Sequence, residues 1–221
     1  YNPGWTPNTT DASHRRYRYG QQPQIGAWNL ARWLESLIPL MQEPQRLEGV
    51  LDHYGEVSNQ HHNAMWAAKL GLGVWRDEDQ ELVVQLNSAL QIIETDMTIF
   101  FRTLASIAAP NVSLLSDAFY QPIGEAEAPL QAWLHEWWAR VGGEPDRATM
   151  MASNPKYVLR NWMAQLAIDE AEKGDFTLCE DLHSLLINPY DEQPEQEERW
   201  FQRRPEWARN RVGCSMLSCS S

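Results

Sequence analysis

Lysine and cysteine are both scarce in this sequence, at three residues each among 221. The cysteines, Cys179, Cys214 and Cys219, are odd in number and lack a close C-x-x-C spacing, so neither a disulfide framework nor a Cys-based zinc site is expected. A reducing compartment, the cytoplasm, is the expectation that follows. No apolar run approaches the roughly 20 residues of a membrane-spanning helix, and no signal-like apolar core opens the chain. The sequence therefore reads as soluble, with no membrane partner, and the sequons at Asn8 and Asn111 carry no weight. Basic charge is also short: 18 bases against 30 acids give a net charge of −12, which argues against nucleic acid as a partner of the whole surface. The two-residue alternation of a half-buried strand is missing throughout. Methionine is missing at the start, where Tyr1 runs into the turn-rich YNPGWTPNTTD, which reads as an end cut from a longer intracellular chain.

Catalytic motifs are missing as well. His135-Glu136 is followed by Trp137-Trp138-Ala139, so the second histidine of an H-E-x-x-H zinc site is absent. His53, His61 and His62 share a polar stretch at a spacing that matches no known ligand pair, and read as surface or ordinary hydrogen-bonding histidines. Gly71-Leu72-Gly73 is a lone G-x-G after a helical stretch, better suited to a cap and turn than to a phosphate cradle. Neither a G-x-S-x-G elbow nor a kinase HRD or DFG run occurs, so no complete catalytic site is expected within these residues.

What is present is core material at helical spacing. Hydrophobic residues make up 43%, with 11 Trp and 7 Met, enough to fold. Leu30, Leu34, Leu37, Ile38 and Met41 form one stripe, and a more polar stretch from about Pro44 ends in Lys69-Leu70-Gly71, a basic last turn followed by a Gly suited to a left-handed cap. Leu82, Leu86, Leu90 and Ile93 predict another helix, and Phe100, Leu104 and Ile107 a shorter one before Pro110. Leu130, Trp133, Leu134, Trp137, Trp138 and Val141 fit the amphipathic template at every position, which predicts that Trp133, Leu134 and Trp137 are buried. Asn154-Pro155 is expected to cap and open a helix carrying Leu159, Trp162, Met163 and Leu166. Asp175 is placed to cap a further helix with Leu178, Leu182, Leu185 and Leu186. From Tyr190 to Ser221 the composition turns to Pro, Glu and Arg, with Trp200, Phe201 and Trp207 as isolated anchors, and predicts a tail wrapped over the helices. More than half of the chain should be helical and strands negligible.

Two features invite functional readings. Residues 14–19 place His14, Arg15, Arg16 and Arg18 beside Tyr17 and Tyr19, which could face a phosphate or an acidic partner or could pair with the protein's own surplus carboxylates. Cys219, next to the C-terminus in Cys-Ser-Ser, is an exposed thiol by position, and five residues separate it from Cys214, a spacing that permits a local disulfide under oxidising conditions.

Taken together and in order, several stretches resemble the selenoprotein O family of pseudokinase-fold protein adenylyltransferases. They are Asn8-Thr9-Thr10-Asp11, the run Arg16-Tyr17-Arg18-Tyr19-Gly20-Gln21-Gln22-Pro23, Trp28-Asn29-Leu30-Ala31-Arg32 and Lys69-Leu70-Gly71-Leu72. Further along come Asp96-Met97-Thr98-Ile99-Phe100-Phe101-Arg102, the run from Asn154 to Asn161, Pro189-Tyr190-Asp191-Glu192-Gln193-Pro194-Glu195 and the Cys219-Ser220-Ser221 terminus. His14-Arg15-Arg16-Tyr17 departs from the Gly-Arg-Tyr of many relatives.

The resemblance implies an all-α, irregular helical bundle like the C-terminal lobe of a kinase-like (pseudokinase) fold. Residues 1–22 would end an activation-like segment with contacts from Asp11, Arg16 and Tyr17, residues 23–189 would form the helical lobe and 190–221 the wrapping tail. It implies an enzyme that uses ATP and Mg or Mn to pass AMP to Ser, Thr or Tyr hydroxyls of protein substrates. The family's Gly-rich region, lysine, catalytic aspartate and metal ligands all precede the position matching Tyr1, so no catalytic, nucleotide-binding or metal residue carries over, and neither ATP nor a metal is expected to bind this portion alone. Cys219 also resembles the Cys, or selenocysteine, that family members carry near the terminus, which favours a redox role for it. The rival reading is a stand-alone helical interaction module without a reaction.

Overall fold

The computed structural model describes Gly4, residues 15–47 and residues 49–214. It is 65% helix, and no strand occurs among the described residues, as the stripes predict. The helices are α1 (Gln22–Leu37), α2 (Val50–Lys69), α3 (Asp79–Ile92), α4 (Met97–Leu104), α5 (Glu127–Arg140), α6 (Arg147–Ser153), α7 (Asn161–Ala171), α8 (Thr177–Leu186) and α9 (Pro194–Trp200). The described residues fall into two compact units, the larger within Met65–Ser215 and the smaller within Asn2–Ala64.

The larger unit has two hydrophobic clusters. The first collects the end of α2, α3, α4 and α5 around Leu70, Leu86, Phe100, Leu104, Trp133 and Trp137. α5 puts Leu130, Trp133, Leu134 and Trp137 on one face, and all four are buried. Burying indoles this deeply leaves two N–H groups to satisfy: Trp133 Nε1 donates to the Leu82 carbonyl at 2.9 Å and Trp137 Nε1 to the Leu70 carbonyl at 2.8 Å. The Leu70 acceptor is available because α2 ends there in a left-handed cap. Gly71 has φ +64°, and a Cβ on it would lie 2.8 Å from Met150 Sδ, so the position requires glycine on both grounds. The second cluster joins α7, α8 and α9 through Trp162, Met163, Leu182, Leu185 and Trp200, with the Trp162 and Trp200 rings stacked at 5.8 Å.

In the smaller unit α1 buries Ile25 and Leu34, while Trp33 and Ile38 are exposed. The predicted stripe of Leu30, Leu34, Leu37, Ile38 and Met41 therefore covers only part of the α1 face and runs past the end of α1 at Leu37.

One sequence expectation needs correction. Asn154-Pro155 does not open a helix: Asn154 closes α6, and α7 starts only at Asn161, leaving Leu159 exposed. The cause is tertiary. The backbone N–H groups of Lys156 and Tyr157 both donate to the Pro189 carbonyl, at 2.8 and 3.1 Å, which holds the stretch out of helical geometry. The tail, in turn, contains a helix, α9, with Pro194 in its first turn and Glu195 and Glu197 at the positive end of its dipole.

Candidate functional site: a buried ionic seam

The stretches that carry the resemblance are far apart in sequence, yet four of them meet in the larger unit. Arg102, the last-turn residue of α4, is 5% exposed in an apolar helix, so its guanidinium needs acceptors from outside that helix. Nη1 donates to the carbonyls of Met151 (2.8 Å) and Asn154 (2.9 Å). Nη2 donates to the Tyr190 carbonyl (2.9 Å) and to Glu192 Oε1 (2.5 Å). One side chain thereby ties α4 to the end of α6 and to the chain beyond Pro189.

Glu192 is shared. Its second oxygen accepts from Lys156 Nζ at 2.8 Å, and Lys156, whose side chain is 3% exposed, also donates to Glu197 Oε2 at 2.8 Å and to the Glu192 carbonyl at 2.9 Å. The Tyr157 hydroxyl donates toward the carbonyls of Glu192 and Gln193. Electrostatics follow this geometry. Hydrogen bonding from Lys156, joined by Arg102, outweighs burial and holds the Glu192 carboxyl below its ordinary range. Burial disfavours the Lys156 ammonium, but Glu192 and Glu197 together outweigh it and raise the amine above its usual value. Burial raises the Tyr157 phenol.

Asn154 links this seam to α2. Its Nδ2 donates to the carbonyls of Lys69 and Met150, both at 2.9 Å, which fixes the amide so that Oδ1 faces Lys69 Nζ at 2.7 Å. Two further ion pairs staple the unit. Buried Asp96 caps α4 through Ile99 N and binds Arg160 by both oxygens. Asp79, 2% exposed, receives Nε and Nη2 of Arg140 at 2.6 and 2.9 Å. A pocket of about 440 Å³ lies between Val112, Phe119, Tyr120, Ile123 and Arg203, with Ser113, Ser116 and Glu127 on its wall.

Of the residues singled out from sequence, Asp11 and Cys219 lie outside the described residues. Arg16 and Tyr17 are in the smaller unit, where the Arg16 guanidinium lies 3.7 Å from the centre of the Trp28 ring and Tyr17 is half exposed. Cys214, in the larger unit, is 6% exposed, and burial raises its thiol, which disfavours the thiolate. His53 and His61 are exposed and line a pocket of about 420 Å³ with Leu30, Tyr54 and Val57. Among the described residues no three His, Cys, Asp or Glu side chains are grouped to hold a metal ion. The basic side chains of the seam are committed to carboxylates and carbonyls. No reaction step is assigned to the described residues. No helix among them is long and apolar enough to cross a membrane.

Sequence reasoning missed Arg102, Lys156 and Glu192 as a group. Each stood in a conspicuous stretch, but the Lys156–Glu192 pair spans 36 residues and the Arg102–Glu192 pair spans 90, and no local pattern encodes either.

The family model described as "Protein adenylyltransferase SelO" matches residues 1–187. The chain belongs to the SelO family. Among curated SelO relatives, a protein nucleotidyltransferase YdiU of Aromatoleum aromaticum is 47% identical over 230 residues, covering 100% of this chain and 44% of that protein. The namesakes from Flavobacterium johnsoniae and Rhodopirellula baltica are 43% and 46% identical, again over 100% of this chain and 45% of theirs. This SelO chain therefore spans less than half the length of the curated relatives it matches.

Proposed function

We propose that this chain is the C-terminal portion of a cytoplasmic protein adenylyltransferase. The full-length protein transfers AMP from ATP, with Mg or Mn, to Ser, Thr or Tyr hydroxyls of other proteins. The observation that carries the reading is the family match over residues 1–187 together with relatives, named as nucleotidyltransferases, that align along all of this chain. In this reading the helices form the C-terminal lobe of a kinase-like fold, residues 1–22 close an activation-like segment in which Asp11, Arg16 and Tyr17 make contacts, and residues 190–221 wrap the lobe. Cys219 is its redox thiol, with Cys214 or a cysteine outside these residues as its partner.

The chain's own contribution is a rigid, substrate-facing scaffold. Nucleotide transfer needs cations and a divalent ion to hold the triphosphate and a group to position the attacking hydroxyl. An exposed arginine such as Arg15 is screened at physiological salt and cannot orient a reaction by itself. Calorimetry with Mg-ATP or Mn-ATP, beside transfer of labelled AMP to protein, tests the reading on the full-length protein and on residues 1–221 alone. Binding and transfer are expected of the former and neither of the latter. Micromolar ATP binding or turnover by residues 1–221, checked for helicity, would overturn the placement of the active site.

A further inference from the structure

The smaller unit lacks the core that would hold it. Among its described residues only Ile25 and Leu34 are buried, and none of residues 50–64, which form most of α2, is. Two buried side chains cannot offset the conformational entropy of ordering helices of 16 and 20 residues. The larger unit, by contrast, closes over two hydrophobic clusters. Core material is present in the smaller unit but exposed: Ile38 is 45% exposed, Leu51 41% and Leu40 80%. Ile38 and Leu51, with Ala31, Leu34 and Leu47, line a pocket of about 400 Å³ whose polar lining residues are Glu35 and Gln45.

We infer that this pocket and the α1 and α2 residues around it are the docking site of the part of the full-length protein that lies outside residues 1–221. On the reading proposed above, that this chain is one portion of a longer enzyme, more than half of the protein is available as occupant: the chain covers 44% or 45% of each relative. The occupant must also be permanent. A unit with so little core is folded only while it is covered, and a partner that comes and goes would leave it unfolded between encounters. A segment of the same polypeptide stays at an effective concentration on the order of millimolar. An aliphatic lining with a single carboxylate suits such a constitutive contact, which is packed like a domain core cut in half. A second copy fits less well. A two-fold contact would bring two Glu35 carboxylates to one apolar interface, between chains that each carry a net charge of −12. The docked segment presents apolar side chains to Ile38 and Leu51, and folding of the smaller unit becomes conditional on the part that holds the nucleotide.

The test is photo-cross-linking in the full-length protein, with Ile38→benzoylphenylalanine and Leu51→benzoylphenylalanine beside Ile187→benzoylphenylalanine, which probes an exposed position of the larger unit. Irradiation is expected to join positions 38 and 51 to residues outside 1–221 in a product of monomer mass, several-fold more than position 187. Cross-links to a second copy, seen at dimer mass, cross-links confined to residues 1–221, or a yield no higher than at position 187 overturn the proposal. Hydroxyl-radical footprinting of the unsubstituted full-length protein decides the case if a variant does not fold. Ile38 and Leu51 should then oxidise several-fold more slowly than Ile187 and Leu159, which are 62% and 53% exposed here; equal rates overturn the docking. Transfer of labelled AMP is followed on the same samples. Transfer without docking overturns this inference alone, and docking without transfer overturns the adenylyltransferase reading alone.

Discussion

Arg102 gives the sharpest test of how the larger unit is held together, because its carbonyl contacts and its ion pair can be separated. Arg102→Met preserves length and apolar bulk but removes every donor. The carbonyls of Met151, Asn154 and Tyr190 then lose their guanidinium partner. A carbonyl deprived of its partner in a buried setting costs about 1 kcal/mol or more, so these three sum to roughly 3 kcal/mol. The Glu192 contact adds little, because that side chain is 63% exposed and keeps Lys156. The expected loss is about 3–4 kcal/mol. At a urea dependence of about 2–3 kcal/mol/M, the midpoint should fall by about 1–2 M with an unchanged slope. Glu192→Gln isolates the ion pair and should cost about 1 kcal/mol or less. Equal losses for the two variants, or a loss below about 1 kcal/mol for Arg102→Met, would refute the assignment of the stabilisation to carbonyl capping.

The seam also sets a pH window. Glu192 titrates below its ordinary value of 4.5, so its contribution is present above that value and fades as pH falls through the folded pKa. Lys156 titrates above 10.5, so its contribution is complete below that value and fades as pH rises through the folded one. Hydrogen exchange at Tyr157 should accelerate at both extremes, and Glu192→Gln should flatten the acid limb; an unaltered acid limb in that variant assigns it elsewhere. Trp137→Ala empties a fully buried site and orphans the Leu70 carbonyl, for an expected loss of about 3–5 kcal/mol in thermal or urea unfolding. An unchanged melting curve would contradict the packing.

The amino-acid sequence by itself determined α3 and α5, where a stripe of large apolar residues ran for two turns or more. Leu82 to Ile93 and Leu130 to Trp137 are buried as their spacing requires, because helical periodicity puts those side chains on one face before any partner is specified. The left-handed cap at Gly71 was legible for the same local reason. Asp175 accepts from Thr177 N just ahead of α8, although Phe176 rather than Asp175 takes the cap position. Local signals failed where a distant partner outbid them. Asn154 looks like a helix opener, but its amide is claimed by Lys69 and Met150, and the following N–H groups are claimed by Pro189. The α9 helix was hidden in a polar, proline-rich tail whose one buried anchor, Trp200, finds its partner Trp162 38 positions earlier. The seam was decided by tertiary structure alone. A buried arginine or lysine is tolerable only where carboxylates and carbonyls converge on it, and folding brings Arg102, Asn154, Lys156 and Glu192 together from segments that share no local pattern.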